Sequence, residues 1–133
     1  MLSQYPVHTT IPVTDLVAAK AFYEGVLGYV PEMETPAGII YSAGGGTRFL
    51  VYQSAEPSSG KHTVLGIHVS DIHAVVASLR SVGVTFQEYD LPGMKTENAV
   101  ADTGPGYAAW FKDPEGNVIG LIQFKARETG SEE

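Results

Sequence analysis

Four imidazoles and no thiol define the chemistry open to this chain of 133 residues. Histidines stand at positions 8, 62, 68 and 73. The absence of cysteine excludes disulfides, thiolate catalysis and zinc sites of the Cys type, and leaves any metal to His, Asp and Glu. An imidazole titrates near neutral pH, so His8 is a candidate general base or a hydrogen-bonding wall residue of a ligand site. His68 is a second candidate, whereas His62 and His73 read as solvated residues at a strand start and on a helix face. Tyr52 offers a ring with a polar tip, and Trp110, the single tryptophan, offers a large flat surface for stacking. Glu97 and Asp102 lie in a long polar segment from which they could reach over a site as acid or base.

These residues need elements to hold them. The run from Tyr5 to Val13 reads as a strand; Asp15 then offers a helix N-cap, Leu16, Ala19, Phe22, Tyr23, Val26 and Leu27 follow at helical spacing, and Gly28 supplies a stop. Tyr29 to Met33, Ile39 to Ser42 and Arg48 to Gln53 read as three strands. His62 to Ser70 begins the pattern again. Asp71 caps a second helix carrying Ile72, Val75, Val76, Leu79 and Val82, and Gly83 ends it. Thr85 to Tyr89 reads as a strand, Leu91 to Pro105 as a loop, and the segments Tyr107 to Lys112 and Asn117 to Phe124 as a hairpin across Asp113-Pro114-Glu115-Gly116.

The chain repeats itself. HTTIPVTDLVAA from His8 is echoed by VLGIHVSDIHAV from Val64 at an offset of 56, and Leu50-Val51-Tyr52-Gln53 lies over Gly120-Leu121-Ile122-Gln123 at an offset of 70. A supersecondary unit present twice implies a duplicated domain, and the larger second offset assigns about 14 additional residues to the 91–105 segment. The formal charge of −7 argues against nucleic acid, which needs a basic patch. No apolar run has the length of a membrane span, so the expectation is a cytoplasmic protein.

Three segments, IPVTDLVAAKAFYEGVLGY, GIHVSDIHAVVASLRSVGV and WFKDPEGNVIGLIQF, resemble the vicinal oxygen chelate superfamily of glyoxalase I, bleomycin resistance proteins and extradiol dioxygenases. The likeness runs from about Val7 to Phe124. It implies an α+β fold in which two βαβββ repeats form curled mixed sheets around an open cup. It implies a single domain over 1–127 with modules at about 5–54 and 62–125, followed by a flexible acidic tail at 128–133. Enzymes of the group hold a divalent metal in the cup through residues of the first and last strands of each half. Here those positions fall on His8, Val64, Leu50 and Gly120, of which one alone is a metal ligand. His68 shares strand parity with Val64, but a His8 and His68 pair lacks a carboxylate.

The expectation is therefore a metal-independent small-molecule-binding protein of the glyoxalase and bleomycin-resistance type, with no metal and no cofactor. Its ligand, aromatic or cationic, would lie against His8, Thr10, Leu50, Tyr52, Gly66, His68, Trp110, Gly120 and Ile122. Whether Trp110 or Phe111 faces the ligand depends on the register of the hairpin. One alternative is a lyase or isomerase acting on a carbonyl compound with His8 as the catalytic base; another is a protein-interaction module with a vestigial cup. A homodimer is expected, with neither nucleic acid nor membrane as partner.

Overall fold

The computed structural model describes residues 1–125, so the tail expected at 128–133 lies outside the described residues. The strands in chain order are β1 (Thr9–Val13), β2 (Val30–Thr35), β3 (Gly38–Ser42), β4 (Arg48–Gln53), β5 (Thr63–His68), β6 (Asp90–Leu91), β7 (Met94–Glu97), β8 (Val100–Asp102), β9 (Gly106–Lys112) and β10 (Val118–Phe124). Two α-helices, α1 (Leu16–Lys20) and α2 (Ile72–Ser81), accompany them. The strands form two open sheets, one of four in the order β1-β4-β3-β2 and one of six in the order β5-β10-β9-β8-β7-β6. This is the mixed α+β architecture that the resemblance implies. Among the described residues no helix is long and apolar enough to cross a membrane.

The chain divides into two compact units: Met1–Leu65 with Asp113–Val118, and Gly66–Lys112 with Ile119 onward. In the first unit β1 runs parallel to β4, while β2, β3 and β4 form an antiparallel meander. Asp15 caps α1 as its type predicts, its carboxylate accepting from the Ala18 amide at 3.0 Å. The helix then widens into a π-turn over Ala21–Val26 before Gly28 ends it at φ +84°. That turn is not visible in apolar spacing. It carries Tyr23, fully buried with Ile11, Val13, Ala19, Tyr41 and Val51 and beside the nearly buried Ile39 and Phe49. The rings of Tyr23 and Tyr41 lie 5.8 and 5.3 Å from that of Phe49.

A buried carboxylate ties this core to the 113–118 turn. Asp113, 5% exposed, accepts hydrogen bonds from the Tyr23 hydroxyl (2.9 Å), the Asn117 side-chain amide (2.8 Å) and the backbone amides of Glu115 (2.9 Å) and Asn117 (2.8 Å). Asn117 Nδ2 also donates to the Pro12 carbonyl of β1 at 3.0 Å. Glu115 completes the clasp, accepting from the Thr14 amide and hydroxyl and from the Asp15 amide. These backbone donors hold its carboxyl below the ordinary carboxylate range.

Burial and the charge of Asp113 push the Tyr23 phenol far above its ordinary value of 10.0. Burial and the Glu24 carboxylate push Tyr41 up as well. A group with a raised folded pKa keeps its proton after the unfolded chain has lost it, so its contribution is present below the unfolded value and fades as pH rises past it. The guanidinium midpoint is therefore expected to fall as pH rises through and above about 10, the ordinary phenol value. Tyr23→Phe should flatten that decline. An unchanged slope in the variant would count against this account.

Gly38 opens β3 where a side chain cannot fit. A Cβ there would stand 2.7 Å from the Val51 carbonyl oxygen and 3.1 Å from the Tyr52 Cα, both backbone atoms. The second unit repeats the device at Gly106, whose Cβ would meet the Gln123 carbonyl and the Phe124 Cα. Gly38→Ala must push β3 from β4 and should cost about 2 kcal/mol, read from the denaturant midpoint.

In the second unit Asp71 caps α2, accepting from the Ala74 amide at 3.2 Å, and Gly83 ends it at φ +97°. Ile72, Val76, Val84, Phe86, Ala109, Phe111, Ile119 and Leu121 are among its buried apolar residues, with Ala99, Val100, Ala101 and Ala108. Several expectations are corrected. The strand expected from Tyr5 begins at Thr9, after a 3-10 turn over Leu2–Gln4. The strand expected at Thr85 to Tyr89 reduces to one bridge between Phe86 and Phe111, because β8 already occupies that edge of β9 at Tyr107 and Ala108. The loop expected from Leu91 to Pro105 instead forms most of a meander, β6 to β8. It turns at Gly93 (φ +80°) and through Asn98 and Ala99, both left-handed. In sheet order β8 stands beside β9 as β2 stands beside β3, so β6 and β7 are the extra hairpin that the longer offset required.

Candidate functional site

Each sheet has one face under its helix and one without. In the first unit strand alternation puts Ile11, Val13, Phe49, Val51, Ile39 and Tyr41 on the helix side, where they are buried. The opposite face carries Thr10, Pro12, Leu50, Tyr52 and Ile40. Thr10 pairs with Leu50, Pro12 with Tyr52, and Leu50 with Ile40 on its other side. Leu50, Tyr52, Pro12 and Ile40 are half-buried and Thr10 is exposed. His8 is exposed and immediately precedes β1, and Thr9 anchors the strand by donating to the Val64 carbonyl at 2.7 Å.

In the second unit the helix side is marked by Gln123, whose Oε1 accepts from the Ile72 amide at the start of α2 (2.7 Å), and by Phe111, edge-on to Phe86 at 5.5 Å. Alternation from those two residues places Gly120, Ile122 and Phe124 of β10 and Trp110 of β9 on the other face. Of the pair Trp110 and Phe111, Trp110 is therefore the one on the face without a helix, half-exposed, while Phe111 is fully buried. Trp110 stands edge-on to Tyr89 at 5.4 Å, and the His68 ring lies 5.3 Å from Phe124, itself 60% exposed. Gly66 makes room for Ile122, whose Cδ1 would lie 3.2 Å from a Cβ at 66.

Of the residues singled out in the sequence, Thr10, Leu50 and Tyr52 therefore share one uncovered face, and Gly66, His68, Trp110, Gly120 and Ile122 share another. Glu97 and Asp102 do not join them. They project to the α2 side of their sheet, around a groove of about 350 Å³ with His73, Lys95, Val100 and Tyr107. Asp102 there accepts from the Gly104 amide and is paired with Lys125 at 3.0 Å, and these contacts lower its pKa. Period-two strands, in place of a loop, fix that direction.

Tyr89, Ile40 and Phe124 belong to the uncovered faces and were missed in the sequence. So was a polar group at the end of the first face. Arg48 faces Ser42 across β3 and β4, and both grip Glu32 of β2. Arg48 Nε donates to Glu32 at 2.8 Å, and the Ser42 hydroxyl donates at 2.8 Å. These contacts hold Glu32 below its ordinary pKa.

The donors present do not fit the divalent metal that the resemblance implies. Leu50 and Val64 offer no lone pair, Gly120 offers no side chain, and among the described residues no three His, Asp or Glu side chains come together. A fixed catalytic metal needs about three protein ligands.

A duplicated strand-helix-strand unit with an apolar face free in each half defines a class of paired-module proteins. Residues 6–121 match the model of the Glyoxalase/Bleomycin resistance protein/Dioxygenase superfamily, and the chain belongs to that family. Solved structures agree in fold. A glyoxalase/bleomycin resistance protein from Streptomyces sp. CB03234 is 27% identical, with 86% of this chain and 96% of that one covered at a TM-score of 0.64. TnmS3, an antibiotic binding protein from the same strain, is 24% identical over 92% and 99% at 0.65. The fosfomycin resistance protein FosX from Listeria monocytogenes is 12% identical over 90% and 93% at 0.67. No curated protein matches the chain.

Proposed function

We propose that the chain is a metal-independent small-molecule-binding protein that holds a flat, partly aromatic ligand against the uncovered face of each sheet. One observation carries this reading. Trp110, Tyr89, Ile122, Phe124 and His68 line a sheet face opposite α2, where rings with polar tips stay within reach of solvent. Such surface is what a ligand site offers, apolar area with a few polar groups to set orientation. Leu50, Tyr52 and Thr10, with His8 beside them, supply the same elements in the first unit. The antibiotic-binding neighbour TnmS3 supports a sequestering role, and the missing metal donors support metal independence.

Trp110 is the single tryptophan, so its fluorescence reports on this face directly. Flat aromatic acids, amides and cations screened by quenching and thermal shift should yield saturable quenching with a matching rise in Tm. At 100 times Kd the stabilisation should be about 2.7 kcal/mol, unchanged by EDTA. Near-stoichiometric Ni, Zn, Fe or Mn that His8→Ala removes would overturn the metal-free reading. Absence of stabilisation by every compound would favour a protein partner. The same proposal has the two modules, about 5–54 and 62–125, acting as one domain in a cytoplasmic homodimer, which sedimentation velocity tests.

A further inference from the structure

We propose that Arg48 anchors a carboxylate of the ligand, so that the molecule recognised is an aromatic or apolar acid. The inference rests on the reading that a small molecule lies on the uncovered face of the first unit, and it assigns that molecule's charge. Arg48 stands on the same face as Leu50 and Tyr52, two and four residues along β4. Its side chain is 54% exposed. Glu32 engages it through Nε alone, at 2.8 and 3.0 Å to the two carboxylate oxygens, and Ser42 holds the far partner in place. The terminal nitrogens Nη1 and Nη2 make no hydrogen bond among the described residues. A guanidinium fixed at one nitrogen with its terminal donors free is arranged for a planar oxyanion, which takes parallel N–H donors.

The surroundings set the rest of the molecule. Leu50 follows about 7 Å along the strand from Arg48 and pairs with Ile40. The ligand is therefore an apolar body with the acid at its end. A cationic group meets the opposite conditions here: Glu32, the carboxylate beside Arg48 among the described residues, is already taken by Arg48 and Ser42. The formal charge of −7 does not reverse this, because charges more than about 8–10 Å away are largely screened at physiological salt.

The test uses three probes of one shape: 2-naphthoate, 2-naphthamide and 2-naphthylmethylammonium, titrated by calorimetry into the full chain and its Arg48→Gln and Arg48→Lys variants. The unsubstituted chain should bind the naphthoate about tenfold more tightly than the amide and the ammonium most weakly. Arg48→Gln should abolish the acid preference while amide affinity stays constant, and Arg48→Lys should keep part of it, since the charge remains without the fork. Arg48 is an exposed surface residue with a single surface ion pair, so both variants should fold with Tm lowered by no more than about 3 °C. Binding of all three probes without an acid preference, or a preference that survives in Arg48→Gln, overturns the role of Arg48 while leaving small-molecule binding intact. No binding of any probe overturns both.

Discussion

Asp113→Ala should be among the most damaging single substitutions in the chain, lowering stability by about 4 kcal/mol and Tm by roughly 12 °C. The substitution removes four hydrogen bonds at once, from the Tyr23 hydroxyl, the Asn117 amide and two backbone N–H groups. Asn117 is fully buried, and its Oδ1 already has no partner among the described residues, so the site has little capacity to re-pair what is lost. An unsatisfied buried donor costs about 1–3 kcal/mol, and the effects within one network are not additive. Asp113→Asn keeps an acceptor for the turn amides but presents an amide to Asn117 Nδ2, and should cost about half as much. Thermal unfolding of the two variants against Thr47→Ala, an exposed control, measures the difference. Equal, small losses in all three would show that the 113–118 turn holds itself and that Asp113 does not secure β1.

How much of this was legible in the sequence depended on which physical signal a residue carries. Asp15 and Asp71 were readable as caps because a carboxylate before an apolar helical run has one favoured use, and both accept the expected amide. Gly28 and Gly83 were readable as stops for the same reason. The strands β6 to β8 were not, because Met94-Lys95-Thr96-Glu97 alternates with a buried threonine in place of an apolar residue. Charged edge strands also discourage pairing with other chains, and they look like loops. The face shared by Trp110 and Ile122 required a register that the turn at Asp113 sets through hydrogen bonds, which no local pattern encodes. Arg48 and Glu32 are 16 positions apart and meet only because β2, β3 and β4 fold into a meander. The π-turn that seats Tyr23 follows from tertiary packing, since apolar spacing alone fits an ordinary helix equally well.

Trp110→Ala should weaken binding of a flat aromatic ligand by about 30-fold, or roughly 2 kcal/mol. Trp110 is half-exposed on the face opposite α2, held edge-on by Tyr89, so its ring is oriented before a ligand arrives. A ring that loses little rotational freedom on binding converts more of its contact into affinity. Removing it should leave the fold standing, because the large buried side chains of this unit, Phe86, Phe111 and Leu121, lie on the other side of the sheet. Trp110→Phe should restore most of the affinity if stacking area is what matters. Tyr89→Ala should produce a smaller loss, since it releases the indole without deleting it. Calorimetry replaces fluorescence here, because the substitution removes the chain's single tryptophan. Two results would displace the site from this face: affinity unchanged in Trp110→Ala, or a loss that tracks a fall in Tm and is not rescued by Trp110→Phe. The second would place Trp110 among the residues that pack the sheet, and leave the face of Leu50 and Tyr52, with Arg48, as the one that binds.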